Sequence, residues 1–418
     1  MLLAVGMFAC TNGGEHDSPA ADPTSSAGAG DIESAFQFAA CMRDNGIPDF
    51  ADPQIRADGD YFLEPPTGVG DAELTTAETA CQHILGPPAQ GPAASTAVAP
   101  AGWKQIVPGG DCQCSDGSAF SFWVREADPD KVVFYLQDGG ACFSAETCEP
   151  SSGLYETTIA DGAPRESGIF DFDDARNPFA DNSVVYVPYC TGDVHLGNTT
   201  TEYAPGLTVQ HKGYVNGAAA LDHLAAAFPG ATEVVVVGES AGSIASPLYA
   251  GLISDRLPDA RITVLADGSG SYPDLPRLNE ILAAWGTPEA IAGWPDNGVQ
   301  TVEPWSFPGL FVQSGRHQPD IVFARHDYAH DRKQESWYPL AGIPAQDLLS
   351  LIDANETLIE GAGIDLLSYI AAGDAHTVLS DGTFYTEVVN GVRLVDWVTR
   401  LIAGENVDDV HCSDCTAG

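Results

Sequence analysis

The chain has 418 residues, 44% of them apolar, which suffices for a catalytic core plus an extra segment and excludes wholesale disorder. Its 59 Asp and Glu against 17 Lys and Arg leave a formal charge of −42. A surface this acidic repels nucleic acid and anionic membranes, so DNA and RNA are excluded as partners and the excess reads as a solvated acidic coat.

In chain order, MLLAVGMFAC comes first: an apolar run into Cys10, followed by polar residues. It resembles the end of a bacterial lipoprotein signal, in which a cysteine after a small residue is lipidated. The charged start of such signals is missing, so residues 1–10 read as a signal remnant truncated at its start. No later run is long enough to span a bilayer, so the expectation is a chain outside the cytoplasm, held by lipid on Cys10 or secreted. Residues 11–30, rich in Gly, Ser, Ala, Pro and Asp, read as a flexible tether.

Residues 31–85 are expected to form a small helical module. Asp31 caps a helix carrying Ile32, Phe36, Ala39 and Ala40, a second helix ends near 80–85, and a Cys41–Cys81 bridge staples a unit too small to hold itself. A Pro/Ala linker covers 86–101. Nine cysteines follow Cys10, a count that outside the cytoplasm means disulfides with one left over. Zinc would want two Cys-x-x-Cys pairs, and only Cys412 to Cys415 has that spacing, so no metal is expected.

From 102 to 418 strands alternate with helices. KVVFYLQ (131–137), SVVYVPY (183–189), EVVVVG (233–238), ITVLAD (262–267), IVFAR (321–325) and LLSYIAA (366–372) are short β-branched runs. Helical stretches fall at 213–228, 240–254, 275–285, 344–360 and about 391–403. Apolar strands alternating with helices predict an α/β domain: a doubly wound, mostly parallel sheet with helices on both faces. The segments 144–180 and 286–318 carry no motif.

Gly238-Glu239-Ser240-Ala241-Gly242 follows the most apolar strand and opens a helix. This strand-turn-helix context makes Ser240 the candidate nucleophile of an α/β-hydrolase-like fold. A serine needs a base, and the base a carboxylate. The chain order of that fold, Ser, then acid, then His, points to His376, with His411 set aside in the acidic tail. Strand order makes Asp327 the preferred acid, with Asp267 and Asp331 as rivals. The turn at Gly139 and Gly140 after KVVFYL, with the Ala241 N–H, would form the oxyanion hole.

The ordered blocks Cys114-Ser-Asp-Gly-Ser118, YLQDGGACF (135–143), VPYCTGDVHLGN (187–198), GESAGS (238–243), LADGSG (265–270) and HDYAHDRKQ (326–334), with the His376 region, resemble the pectin acetylesterase family, which includes the Notum carboxylesterases. The resemblance covers about 102–415. It implies carboxylic-ester hydrolysis without a cofactor, Asp327 as the acid, and Cys114–Cys190 and Cys142–Cys148 bridges. Where many relatives have tryptophan after the glycines this chain has Ala141, which removes an aromatic wall from the pocket. His195 in the GDVHLG block is a candidate for substrate binding. Residues 38–53 also look like a module found ahead of other domains in actinobacterial lipoproteins. The expectation is therefore a monomeric, exported serine esterase acting on an acetylated polysaccharide such as pectin. A lipid-acyl or polyester esterase, or a catalytically idle binding lipoprotein, is the alternative.

Overall fold

The computed structural model describes residues 38–43, 45–48, 50–51, 54–55, 61–62, 80–81, 102–159, 162–290, 294 and 305–416. Cys10, the tether, Asp31, Ile32, Phe36 and the whole of the 86–101 linker lie outside them. The chain divides into two compact units, Met1–Thr96 and Ala97–Gly418. In the first, residues 38–43 are helical, and Phe38, Met42, Ile47 and Phe50 form a small buried cluster with Cys81. Cys41 and Cys81 are disulfide-bonded. So small a core stabilises little by itself, and the crosslink supplements it by restricting the unfolded chain.

The second unit is built on a nine-stranded sheet. In chain order its strands are β1 (Trp103–Ile106), β2 (Phe122–Arg125), β3 (Asp128–Leu136), β4 (Asn182–Val187), β5 (Glu233–Glu239), β6 (Arg261–Asp267), β7 (Val322–Tyr328), β8 (Leu366–Ala371) and β9 (Val410–His411). They lie side by side as β9-β8-β7-β6-β5-β3-β4-β2-β1. Every pairing from β9 to β4 is parallel, and only the edge pairs β4–β2 and β2–β1 are antiparallel. The interior of β5, Val234 to Val237, is at most 5% exposed. Burial on both faces is why that run is apolar without alternation.

The principal helices are α1 (Gly213–Ala227), α2 (Ala241–Arg256), α3 (Pro276–Ala284), α4 (Phe307–His317), α5 (Arg332–Ala341), α6 (Leu348–Gly361) and α7 (Leu394–Ile402). This is the expected α/β, hydrolase-like architecture. The chain runs from β3 outward to β4, then returns to place β5 on the other flank of β3. Right-handed crossovers in the two directions put helices on both faces. They also make the carboxyl ends of β3 and β5 a topological switch point, where open α/β sheets bind ligands.

Two expectations change. β1 and β2 had no counterpart in the sequence reading, since short edge strands have little apolar signal. The strand expected to stop at Arg325 continues to Tyr328, pairing Asp327 with Ile370 of β8. That extension decides the acid below.

Candidate active site

Ser240 leaves β5 with φ 50° and ψ −112°, a backbone that a non-glycine residue adopts only under constraint. Its N–H donates to the Asp267 carbonyl at 2.8 Å, and α2 begins at the next residue. The elbow is so tight that a Cβ on Gly242 would lie 2.0 Å from the Leu136 carbonyl oxygen. As the first residue of α2, Ala241 has an N–H with no intrahelical acceptor.

Leu136 pairs with Gly238, so the turn after β3 rises from the same level of the sheet as the serine elbow. Gly139 and Gly140 both have positive φ, and a Cβ on Gly140 would sit 2.0 Å from the Leu154 carbonyl oxygen. The turn is fixed from outside. Glu156 N–H donates to the Gly139 carbonyl at 2.9 Å, Cys142 N–H donates to Gly192 at 2.8 Å, and Cys142 is bonded to Cys148. A second disulfide joins Cys114 to Cys190, and a third joins Cys412 to Cys415. Cys112 is a buried free thiol.

His376 lies on the loop after β8. A Cβ on Gly268, one residue beyond the Asp267 that receives the Ser240 N–H, would come within 2.8 Å of the His376 carbonyl and 3.4 Å of its ring Cε1. The imidazole is thereby placed at the strand ends that carry the serine. Its Nδ1 lies 2.7 Å from Asp331 Oδ2. A carboxylate only accepts, so Nδ1 carries a proton, and in the neutral ring the lone pair is then on Nε2. Nε2 is buried and has no hydrogen-bond partner among the described residues.

The carboxylate beside His376 is therefore Asp331, and the expectation for Asp327 is corrected. Because β7 runs past Arg325, Asp327 is still inside the sheet, fully buried. Its Oδ1 accepts from the Gly270 N–H at 2.8 Å and from Gln334 Nε2 at 3.1 Å. Asp331, four residues on, is the N-cap of α5; its Oδ1 accepts from the N–H groups of Lys333 and Gln334, which leaves Oδ2 for His376 and Gln334 Nε2. Capping the helix fixes the carboxylate's direction as well as its position.

Asp267 is engaged elsewhere. Its Oδ2 accepts from the N–H groups of Val378 and Leu379 at 2.8 and 3.1 Å, and Oδ1 lies 2.7 Å from Nδ1 of the buried His326. Burial alone would discharge that imidazole, but Asp267 and Glu387 outweigh it and hold its pKa up at about 10. An unfolded histidine titrates near about 6.5. The pair's contribution to stability is thus whole below that pH and is lost as pH rises through about 10. Thermal melts should show Tm falling from about pH 7 to 10, less steeply in His326→Gln. A Tm that is flat over this range contradicts the charged pair.

The substrate-binding expectation for His195 is also corrected. The ring is 1% exposed, and its Nε2 donates to the Gln137 carbonyl at 2.8 Å. Burial lowers its pKa to about 4, so it stays neutral and braces the oxyanion turn from behind. The sequence reading missed Glu239 as well. It stands beside Ser240, 1% exposed, and its Oε1 accepts from both the N–H and the hydroxyl of Ser380 at 3.1 Å. An acidic residue at the variable position of the elbow was the available signal.

Two cavities flank the turn. One, of about 50 Å³, is lined by Gly140, Ala141, Ser240 and Ala241 and walled by apolar groups including Ile244, Leu278, Trp285 and Phe307. The other, of about 190 Å³, is polar, with Asp138, Gly139, Glu156, Arg165, Tyr189 and Ser380 among its walls. Burial raises the pKa of Asp138, while nearby His376 works against it.

Residues 106–281 match the Pectinacetylesterase family model. The chain is 26% identical to pectin acetylesterase 5 of Arabidopsis thaliana over 176 residues, covering 39% of this chain and 40% of that protein. It is 29% identical to palmitoleoyl-protein carboxylesterase NOTUM of Schmidtea mediterranea over 159 residues, covering 35% and 29%. It is 28% identical to inactive palmitoleoyl-protein carboxylesterase notum1b of Danio rerio over 118 residues, covering 27% and 82%. The chain thus spans less than half the length of the first two. The family match holds the oxyanion turn and Ser240 and ends before Asp331 and His376.

Proposed function

We propose that the chain is an exported serine carboxylesterase that removes short acyl groups, acetyl foremost, from a polysaccharide. The observation that carries the reading is His376, oriented by Asp331 with Nε2 buried and unpartnered, at the strand ends that present Ser240. The likeness to pectin acetylesterase and carboxylesterase sequences supports the same chemistry, and the disulfides suit an oxidising compartment.

In this mechanism His376 Nε2 takes the Ser240 proton as Oγ adds to the ester carbonyl. The oxyanion is held by N–H groups of Gly139, Gly140 and Ala241. Collapse expels the alcohol, which takes the proton back from Nε2 and leaves an acyl-serine. Water then adds with His376 again as base, releasing the acid and restoring Ser240. Asp331 keeps the proton on Nδ1 and stabilises the imidazolium.

The two cavities assign the two halves of the substrate. The apolar one, at about 50 Å³, holds roughly four water-sized groups. That accommodates a short acyl chain and excludes a long fatty one, so acetyl is favoured over palmitoleoyl. The polar cavity borders the same turn and has Ser380, from the loop that carries His376, in its wall; its size and hydrogen-bonding walls suit a sugar ring. Asp138 and Glu156 in that cavity and the net charge of −42 oppose a polyanionic chain, so neutral acetylated glycans should be preferred to acetylated pectin.

Turnover of p-nitrophenyl esters should be fastest for acetate to butyrate, with kcat/KM falling at least about tenfold by octanoate; one or more methylenes that cannot be seated account for a loss of that size. Preference for long chains would overturn the short-acyl assignment. No turnover of any ester would leave an idle binding protein, the state named for the zebrafish relative.

A further inference from the structure

Glu239 is the last residue of β5, and Asp267, its register partner, is the last residue of β6. Both carboxyl groups are buried, and between them they accept the three consecutive N–H groups of Val378, Leu379 and Ser380. These residues continue the loop that carries His376, so two neighbouring strand ends grip the base's loop beside the nucleophile.

The two acids differ in their partners. Asp267 has the His326 imidazolium and two amides as partners. Glu239 has no cation beside it among the described residues: Oε1 receives Ser380, and Oε2 meets the Tyr135 hydroxyl. The other groups around it, Asp267 and Asp138, are acidic. Two adjacent carboxylates in a dry site cannot both ionise at ordinary cost, and the one without a cation keeps the proton.

We propose that Glu239 is a positioning residue which, as a neutral acid, fastens the His376 loop to the nucleophile strand, and that its ionisation loosens the loop and limits turnover at alkaline pH. This rests on the esterase reading above. Burial first, and Asp267 next, push the Glu239 pKa up to about 8. A raised acid pKa means the gripped arrangement is most favoured below the ordinary carboxyl pKa and loses stability, relative to one with Glu239 solvated, as pH rises from there towards about 8, beyond which the loss is complete.

The test compares wild type, Glu239→Gln and Glu239→Ala. Gln is permanently neutral: its carbonyl can accept from Ser380 and its amide can donate to the Tyr135 oxygen. Its kcat for p-nitrophenyl acetate near pH 7 should stay within about tenfold of wild type, and the decline of wild type as pH rises towards about 8, levelling off beyond it, should vanish. Ala, which orphans Ser380 and Tyr135, should lower kcat about 10²-fold with KM little changed, the scale of a small misplacement of a reacting group. Hydrogen exchange of residues 372–381, corrected for intrinsic rate, supplies a readout that needs no turnover. Protection should fall as pH rises towards about 8 in wild type, levelling off beyond it, and persist in Glu239→Gln. A Gln variant with the same decline, the same loss of protection, or more than tenfold loss near pH 7 overturns the proposal. Absence of wild-type turnover would instead sink the esterase reading, leaving exchange to judge the clamp.

Discussion

Ser240→Ala is expected to lower kcat by about a million-fold, to the residual rate left when a serine nucleophile is removed and binding remains. The side chain makes no hydrogen bond among the described residues, and its loss leaves the elbow's own supports untouched. The Ser240 N–H still donates to Asp267, and Gly242 still allows close approach to Leu136. Folding should be unaffected, so Tm and the circular dichroism spectrum should match wild type. Intact-mass measurement after a brief reaction with an activated ester should show an acyl adduct on wild type and none on the variant. An Ala variant that retained a hundredth of the activity would exclude Ser240 as nucleophile.

Asp331→Asn should lower kcat by about 10⁴, because an amide in that position presents N–H to Nδ1 and favours the wrong imidazole tautomer. The remaining oxygen can still cap α5, which separates the chemical effect from loss of the helix start. Asp327→Asn is the control. That carboxyl touches Gly270, Gln334 and Arg325 and not His376. Replacing it should lower Tm while leaving kcat within a few-fold of wild type. The reverse pattern, with Asp327→Asn crippled and Asp331→Asn active, would refute the pairing.

The contrast between these two aspartates shows what the sequence could and could not yield. Ser240 was legible because its motif needs a strand before it and a helix after it, and both patterns were plain. The glycine turn and His376 followed from their places after successive strands. The acid failed because its assignment hung on where a strand ends, the least definite feature of a periodic pattern. Three more residues of β7 keep Asp327 inside the sheet and leave Asp331, the cap of α5, as the carboxylate beside His376. Helix α4 was missed because the run to which it belongs carried no motif, although it closes one wall of the apolar cavity with Phe307. His195 was expected to touch substrate for a different reason, and Glu239 was given no role. A polar residue beside a catalytic motif looks functional in a sequence, and only burial and partners tell a brace from a contact.

The long reach of the clamp bears on how the protein matures. Glu239 waits for Ser380, 141 residues later, and Asp267 waits for Val378, 111 residues later. Such contacts close large loops and form late in folding. On the esterase reading, a nascent chain therefore presents Ser240 long before His376 is seated, and a copy interrupted after β6 carries the serine motif with no means of using it. On that reading hydrolytic competence arrives with the last third of the chain, which makes it a report of completed folding and keeps half-made copies harmless to esters they meet on the way.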